Sequence, residues 1–258
     1  VSAQTKQEVL SAMKKATEFF STKVSTRGGY VWSVSEDFSK FYGEVPARKS
    51  QIWVQSGTPM VGMTLLDAFE ATGDKFYLQT AEKAADALIF GQTNEGGWHY
   101  VVDFEPKGLQ DFYKNEASKF KWGMEEQRFY KGNATFDDGN TAGATRFILR
   151  LYLISKNEKY KAPLLKALNF ILTAQYPNGA FPQRFPFLDV ASSFKTRQSV
   201  IQAPRLSIAL IEFATFKVLG LGKLPFQFRS FLYSAPAVLA SSNFMRSYSL
   251  RIGSTLTT

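Results

Sequence analysis

Residues QTNEGGWHY (92–100) and QYPNGAFPQ (175–183) each place a Gln, a Gly four residues later and an aromatic two beyond that. The offset of 83 residues holds upstream, where Tyr77 aligns with Tyr160, Lys83 with Lys166, Ala84 with Ala167 and Leu88 with Ile171. ATGDKFY (71–77) aligns with SKNEKY (155–160) as a polar turn, and TRGGYVW (26–32), preceded by KKATEFF (14–20), reads as a third copy. A repeat of this period implies stacked supersecondary units, because a single unit cannot bury its apolar face alone.

Each unit reads as a helical hairpin. Leu164, Leu165, Leu168, Ile171 and Leu172 share one face of a helix over 160–174. Phe147, Ile148, Leu151 and Tyr152 do the same over 141–154, as do Val61, Leu65, Leu66 and Phe69 over 60–69. Gly96, Gly97 and Gly179 lie just past helix ends, where left-handed backbone is needed. The expected fold is all-α: an α/α toroid, (α/α)3-barrel-like, of three hairpins within residues 1–187. The turns at 28–30, 96–98 and 179–181 should lie along one rim.

Residues 188–258 are set apart as an atypical tail. Between Asp189 and Thr258 there are eight Lys/Arg and eleven Ser but only Asp189 and Glu212 as acids, so this stretch carries +6 of the net +9. Only SIALIEFATFKVLGLG (207–222) reads as a helix there. A positive balance favours polyanionic partners. No Lys/Arg run is long enough for a nucleic-acid tail, and no apolar stretch has membrane-spanning length, so neither nucleic acid nor membrane is expected as a partner. Without cysteine there is neither a disulfide framework nor a thiolate metal site. The opening VSAQTKQ lacks an initiator Met and a signal-like apolar core, as expected of a chain already processed.

Two stretches carry chemistry. In GNATFDDGNTAG (132–143), Asp137 and Asp138 precede a helix. One such Asp suffices as an N-cap. Two, flanked by Asn133 and Thr135, also suit a hard, oxygen-seeking cation such as Ca²⁺. QYPNGAFPQRFPF (175–187) combines turn residues with Phe181, Gln183 and Arg184, side chains that stack on and clamp ligands. His99, the one histidine, sits beside Trp98 in a turn and reads as structural or ligand-contacting rather than as a general base. No P-loop, dinucleotide-binding, metalloprotease or nucleophile-elbow motif is present.

Together, GNATFDDGNTAGATRFILRLY and LLKALNFILTAQYPNGAFPQRFPF resemble the polysaccharide lyase family 10 pectate lyases, with motifs like TFDDGAT and QYPxGGWPQxYP at this separation. The resemblance spans residues 56–187. It implies calcium-assisted β-elimination on polygalacturonate or another acidic polysaccharide, by a secreted or periplasmic monomer. By motif, Asp137 aligns with the family's essential acid at the calcium and substrate site and Asp138 falls at the adjoining position, while Arg184, in the PQR segment and suited to a carboxylate, is the candidate catalytic residue. Gln183, Asn133, His99, Trp98 and Phe181 are candidate substrate contacts; Trp98 and Phe181 either stack on sugar or pack. The chain departs from the family where an ITFND-like segment would follow, reading LDVASSFKTRQSV instead, and it lacks a WARFYE-like stretch near which the family's base arginine lies. Activity below that of an intact member is therefore expected. The alternative is a toroid that grips acidic glycan without cleaving it. The Gln92–Gly96–Trp98 pattern is also similar to the QW repeats of terpene cyclases, but their D-x-D-D acid would have to stand at Thr135.

Overall fold

The computed structural model describes residues 5–186, apart from 106, 122, 124, 125, 127–131, 177 and 178. All of them belong to the first of the chain's two units, Val1–Arg205; the second is Leu206–Thr258. The reading of 188–258 as an atypical tail lies outside the described residues.

The architecture is all-α, as expected of units of an α/α toroid. Helix α1 (Lys6–Phe19) begins with a capping box, in which Thr5 Oγ1 accepts from the Glu8 N–H while Glu8 Oε2 accepts from the Thr5 N–H. A π-helical turn, Phe20–Val24, ends it. Two antiparallel hairpins follow: α2 (Thr58–Thr72) with α3 (Lys75–Phe90), and α5 (Asn140–Ser155) with α6 (Lys161–Ala174). The short helix α4 (Gly108–Asn115) lies between them in sequence. Leu66, Phe147, Ile148, Leu151 and Leu164, on the faces that the periodicity marks, and Ala84 and Leu88, matched by the repeat, are fully buried, whereas Leu172, expected on the same face as Leu164, is exposed. No helix among the described residues is long and apolar enough to cross a membrane.

The 83-residue repeat is physical. Each hairpin turns through a left-handed residue, Gly73 or Lys156, and a short polar side chain then starts α3 directly or, in the second hairpin, the 3-10 turn Glu158–Tyr160 that leads into α6. Asp74 accepts from the Phe76 N–H at 2.9 Å, and Asn157 from the Lys159 N–H at 3.2 Å. Tyr77 and Tyr160 are both buried. At the other end, Gln92 donates to the Gly96 carbonyl at 2.8 Å and Gln175 to the Gly179 carbonyl at 2.9 Å. Gln92 donates also to the carbonyl of Pro163, in α6, at 2.9 Å. The turns at 28–30 and 96–98 each rest on the next unit. A Cβ on Gly28 would lie 2.6 Å from the carbonyl oxygen of Lys83, and one on Gly96 would lie 2.4 Å from that of the repeat-equivalent Lys166.

Two expectations need correction. The first copy contributes one helix rather than a hairpin among the described residues. After α1 the chain forms short strands instead: β1 (Ser33–Val34), β2 (Phe41–Tyr42) and β3 (Pro46–Ala47) pair as an antiparallel sheet. Strand β4 (Gln51–Trp53) pairs with β5 (Val101–Asp103), burying Ile52 and Trp53. At two or three residues each, these strands are too short to leave an alternating pattern. Gly97, expected in left-handed backbone, does not have a positive φ and is required by space instead: a Cβ there would fall 2.5 Å from the Ala134 Cβ and 2.6 Å from the Phe170 ring.

The close packing makes a contrast testable. Gly73 has φ +71° with nothing near its missing Cβ, whereas Gly96 has φ +117° and no room for one. Gly73→Ala should cost about 1 kcal/mol from the left-handed backbone alone. Gly96→Ala adds displacement of the Lys166 backbone and should cost about 3 kcal/mol or more. Urea unfolding of the two variants measures the difference; equal losses would refute the stacking of turn on helix.

Candidate functional site

The two chemical stretches meet in a two-residue antiparallel pairing. Strand β6 (Ala134–Thr135) pairs with β7 (Arg184–Phe185), setting Thr135 opposite Arg184 and Ala134 opposite Phe185. Thr135 is the junction. Its N–H donates to the Trp98 carbonyl at 2.8 Å and its hydroxyl to the Gln183 carbonyl at 2.9 Å, while the Phe136 N–H reaches the same Gln183 carbonyl at 2.9 Å. From the helix side, the Trp98 N–H donates to Thr141 Oγ1 at 3.1 Å. The 96–98 turn, the Asp137–Asp138 segment and the 183–185 loop are thus one hydrogen-bonded unit.

Asp137 is not the cap of α5. That position belongs to Gly139, without a side-chain capping bond. The Asp137 carboxylate instead accepts from the Tyr100 hydroxyl (2.8 Å) and the Gln183 amide (2.6 Å) at Oδ2, and from the Asp138 N–H (3.1 Å) at Oδ1. Partial burial pushes its pKa up, but these hydrogen bonds and the Arg184 charge outweigh burial and hold it below the ordinary carboxylate value. Gln183 also accepts from Arg184 Nη1 at 3.1 Å, and Arg184 forms an ion pair with Glu126. Behind Glu126 stands His99, with Nε2 3.4 Å from the carboxylate and Nδ1 2.8 Å from the Tyr113 hydroxyl.

The charges follow from burial. Glu126 is 3% exposed; burial alone would raise its pKa, yet His99 and Arg184 bring it below the ordinary range. Burial drives the His99 pKa down, the Glu126 carboxylate offsets part of this, and the Arg184 charge adds to the fall. A neutral imidazole facing a carboxylate through Nε2 carries its proton there and accepts the Tyr113 O–H at Nδ1. Glu44, on the exposed side, has its pKa raised by burial and by the charges of Asp138, Glu126 and Asp137. The mouth is therefore a region of negative potential, which suits a hard cation. Among the described residues, however, no three His, Cys, Asp or Glu side chains converge as a protein-only cage. Were a calcium ion held here, Asp137 and Asp138 would supply only part of its oxygen shell, and ligand carboxylates and water would have to supply the rest.

The candidates named from the sequence divide by burial. Asp137, Gln183 and Arg184 are brought together, with Asp138 exposed beside them. Phe181 is half-buried against Phe136, whose ring also stacks on Phe170. Trp98 is 0% exposed and its indole N–H donates to the Leu88 carbonyl at 2.7 Å, so it packs and offers no face to a sugar. His99 is likewise buried, at 3% exposed, and bears on the mouth through Glu126 rather than by touching a polymer. The side chain of Asn133 is buried too; with His99 it lines a separate cavity of about 630 Å³ reached by Gln92, Glu105 and Lys107. Glu126, Tyr100 and Tyr113 escaped sequence reading. The only signal for Glu126 was its place in KWGMEEQRFYKGNATFDD, where nothing marks one acid as buried.

Comparison with known proteins bears out the resemblance. Residues 105–197 match the family model for pectic acid lyase, which takes in both the Asp137–Asp138 and the Gln183–Arg184 motifs. No curated protein matches the chain. Among solved structures, a mutant of a family 10 polysaccharide lyase from Cellvibrio cellulosa in complex with trigalacturonic acid is similar at 16% identity and TM-score 0.42, covering 68% of this chain and 56% of that one. A family 10 polysaccharide lyase from the same organism is similar at 17% identity and TM-score 0.42, over 64% and 49%. A D-mannose isomerase follows at 15% identity and TM-score 0.31, over 70% and 58%. The chain thus spans about half the length of the solved lyases that it matches.

The neutral His99 has a consequence for stability. Its folded pKa lies below the unfolded value of about 6.5, so the unfolded chain takes up the proton first as pH falls. Stability present above pH 6.5 should therefore be lost below it, at up to about 1.4 kcal/mol per pH unit. Glu44, with a raised pKa, acts in the opposite sense, at the lower pH where carboxylates titrate. Denaturant unfolding at pH 7 and at pH 5.5 should show the decline in the wild type and not in His99→Gln; an unchanged slope in the variant would remove His99 as its origin.

Proposed function

We propose that this chain binds polygalacturonate, or a similar acidic polysaccharide, at the Asp137–Gln183–Arg184 mouth and acts on it as a calcium-assisted lyase with slow turnover. The observation that carries this reading is the β6–β7 pairing, which places the two motifs of the pectic acid lyase match within hydrogen-bonding distance. The net charge of +9 draws polyanions, and Arg184 offers a planar guanidinium suited to a uronate carboxylate. Gln183 presents an amide for sugar hydroxyls. When bound between Asp137, Asp138 and a substrate carboxylate, calcium would neutralise charge and acidify the proton next to that carboxylate. Asp137, kept ionised by its hydrogen bonds, would hold the ion, and the half-buried Phe181 would flank the sugar.

Proton removal is the weak step. Guanidinium gives up its proton only above about pH 12, and Arg184 lies against the Glu126 carboxylate. This supports Arg184 as a cation for substrate rather than as an efficient base. The same pairing favours the second reading, a toroid that holds acidic glycan without cleaving it. Two further arginines, Arg197 and Arg205, lie outside the described residues. Action outside the cytoplasm as a monomer, and the 187/188 boundary, remain part of the proposal.

Incubation with polygalacturonate, with and without calcium, separates the readings. Slow, calcium-dependent growth of the unsaturated-uronate absorbance supports the lyase, and salt-sensitive binding without it supports the binder. Reducing ends without that absorbance would mean a hydrolase. Asp137→Asn should weaken calcium-dependent binding of trigalacturonate at least tenfold in calorimetry while moving the thermal midpoint by only a few degrees, roughly a 1 kcal/mol effect. Unchanged binding would dispose of Asp137 as the site.

A further inference from the structure

Arg184 sits between two acids, and the structure gives it to the one that cannot meet substrate. Its Nη2 and Nε engage Oε1 and Oε2 of Glu126, the latter at 3.4 Å, a side-on fork that fixes the guanidinium plane. In that orientation Nη1 donates to Gln183 Oε1 at 3.1 Å. This assigns the amide: the oxygen of Gln183 faces Arg184, and its nitrogen donates to Asp137 Oδ2 at 2.6 Å. Each group in the series is oriented by the one before it, from Glu126 through Arg184 and Gln183 to Asp137.

We infer that Glu126 is a positioning residue whose carboxylate holds Arg184 away from Asp137, so that the negative charge of Asp137 stays available to a bridging cation. One amide separates the guanidinium from Asp137, and its charge already acts on that carboxylate. An arginine deprived of its buried counterion takes the nearest carboxylate, because an unpaired charge in partial burial is costly. Asp137 already feels the Arg184 charge and shares Gln183 with it, so the expected result is a direct Arg184–Asp137 pair, neutral overall and with little attraction for calcium. Glu126 keeps its own place through one further contact, His99 Nε2, and His99 is in turn held by the Tyr113 hydroxyl at Nδ1. At 3% exposure it is shielded from bulk water and from any polymer at the mouth. Its role is thus to hold the Arg184 charge off Asp137 while leaving the guanidinium beside the mouth.

This inference deepens the lyase reading, on which its binding arm rests, and its structural arm stands apart from it. The structure of Glu126→Gln without ligand should find the Arg184 guanidinium within hydrogen-bonding distance of an Asp137 carboxylate oxygen; Arg184 still fanned toward residue 126 would overturn the proposal. In calorimetry with trigalacturonate and calcium, Glu126→Gln should lose affinity at least tenfold while Arg184 is present. In an Arg184→Gln background the same change should cost less than twofold, since no cation is left to misplace. A purely structural Glu126 would cost the same in both backgrounds, which refutes the proposal. Thermal unfolding of all four proteins checks that each is folded. If the wild type binds no trigalacturonate, the lyase reading fails and the Glu126→Gln structure alone decides the role of Glu126.

Discussion

Thr135 holds the site together. Its backbone N–H and its hydroxyl tie two distant stretches, the turn at Trp98 and the loop at Gln183, to the strand that leads into Asp137. The residue is fully buried, so an unmade bond there would leave polar groups without water. Everything chemical follows from it. Asp137 receives the Tyr100 hydroxyl because the 98–100 backbone is fixed beside it, and receives the Gln183 amide because β7 is paired in this register and no other.

The second constraint is electrostatic. A buried carboxylate, a half-buried guanidinium and a buried imidazole coexist because two of them pair and the third stays neutral. Isolated burial of Glu126 would be prohibitive; with Arg184 on one side and the His99 N–H on the other it remains ionised. Asp137 at the mouth is held by the Tyr100 and Gln183 donors and feels the Arg184 charge, while burial and the charges of Asp138, Glu126 and Asp137 raise the pKa of Glu44. The Arg184–Glu126 pair is thus set into the wall, with Asp137 and Asp138 at the opening.

The helical units supply rigidity rather than chemistry. Their turns stack on backbone, Gly28 over Lys83 and Gly96 over Lys166, so a side chain at either glycine would push two units apart. The rim that carries Trp98 is therefore as fixed as the helices beneath it. The aromatic content also finds its main use here: Trp98, Tyr77, Tyr160, Phe147 and Phe170 fill the core, and Phe136 joins the half-buried Phe181 to it.

What the sequence by itself determined is what local chemistry and periodicity can write down. The helical faces, the turn glycines, the Asp74/Asn157 and Gln92/Gln175 equivalences and the two motifs at the mouth were all legible, because each depends on neighbours within a few residues or on the 83-residue repeat. The tertiary structure alone decided which aromatics are platforms and which are core: Trp98 and Phe181 share a repeat position, yet one is sealed by the Leu88 carbonyl and the packed helices while the other stands half open. It also decided that Asp137 is no helix cap and that Arg184 answers to Glu126, 58 residues away. Pairing of charges across that separation leaves no periodic trace, because it is set by where folded elements bring side chains and by the cost of burying either charge alone.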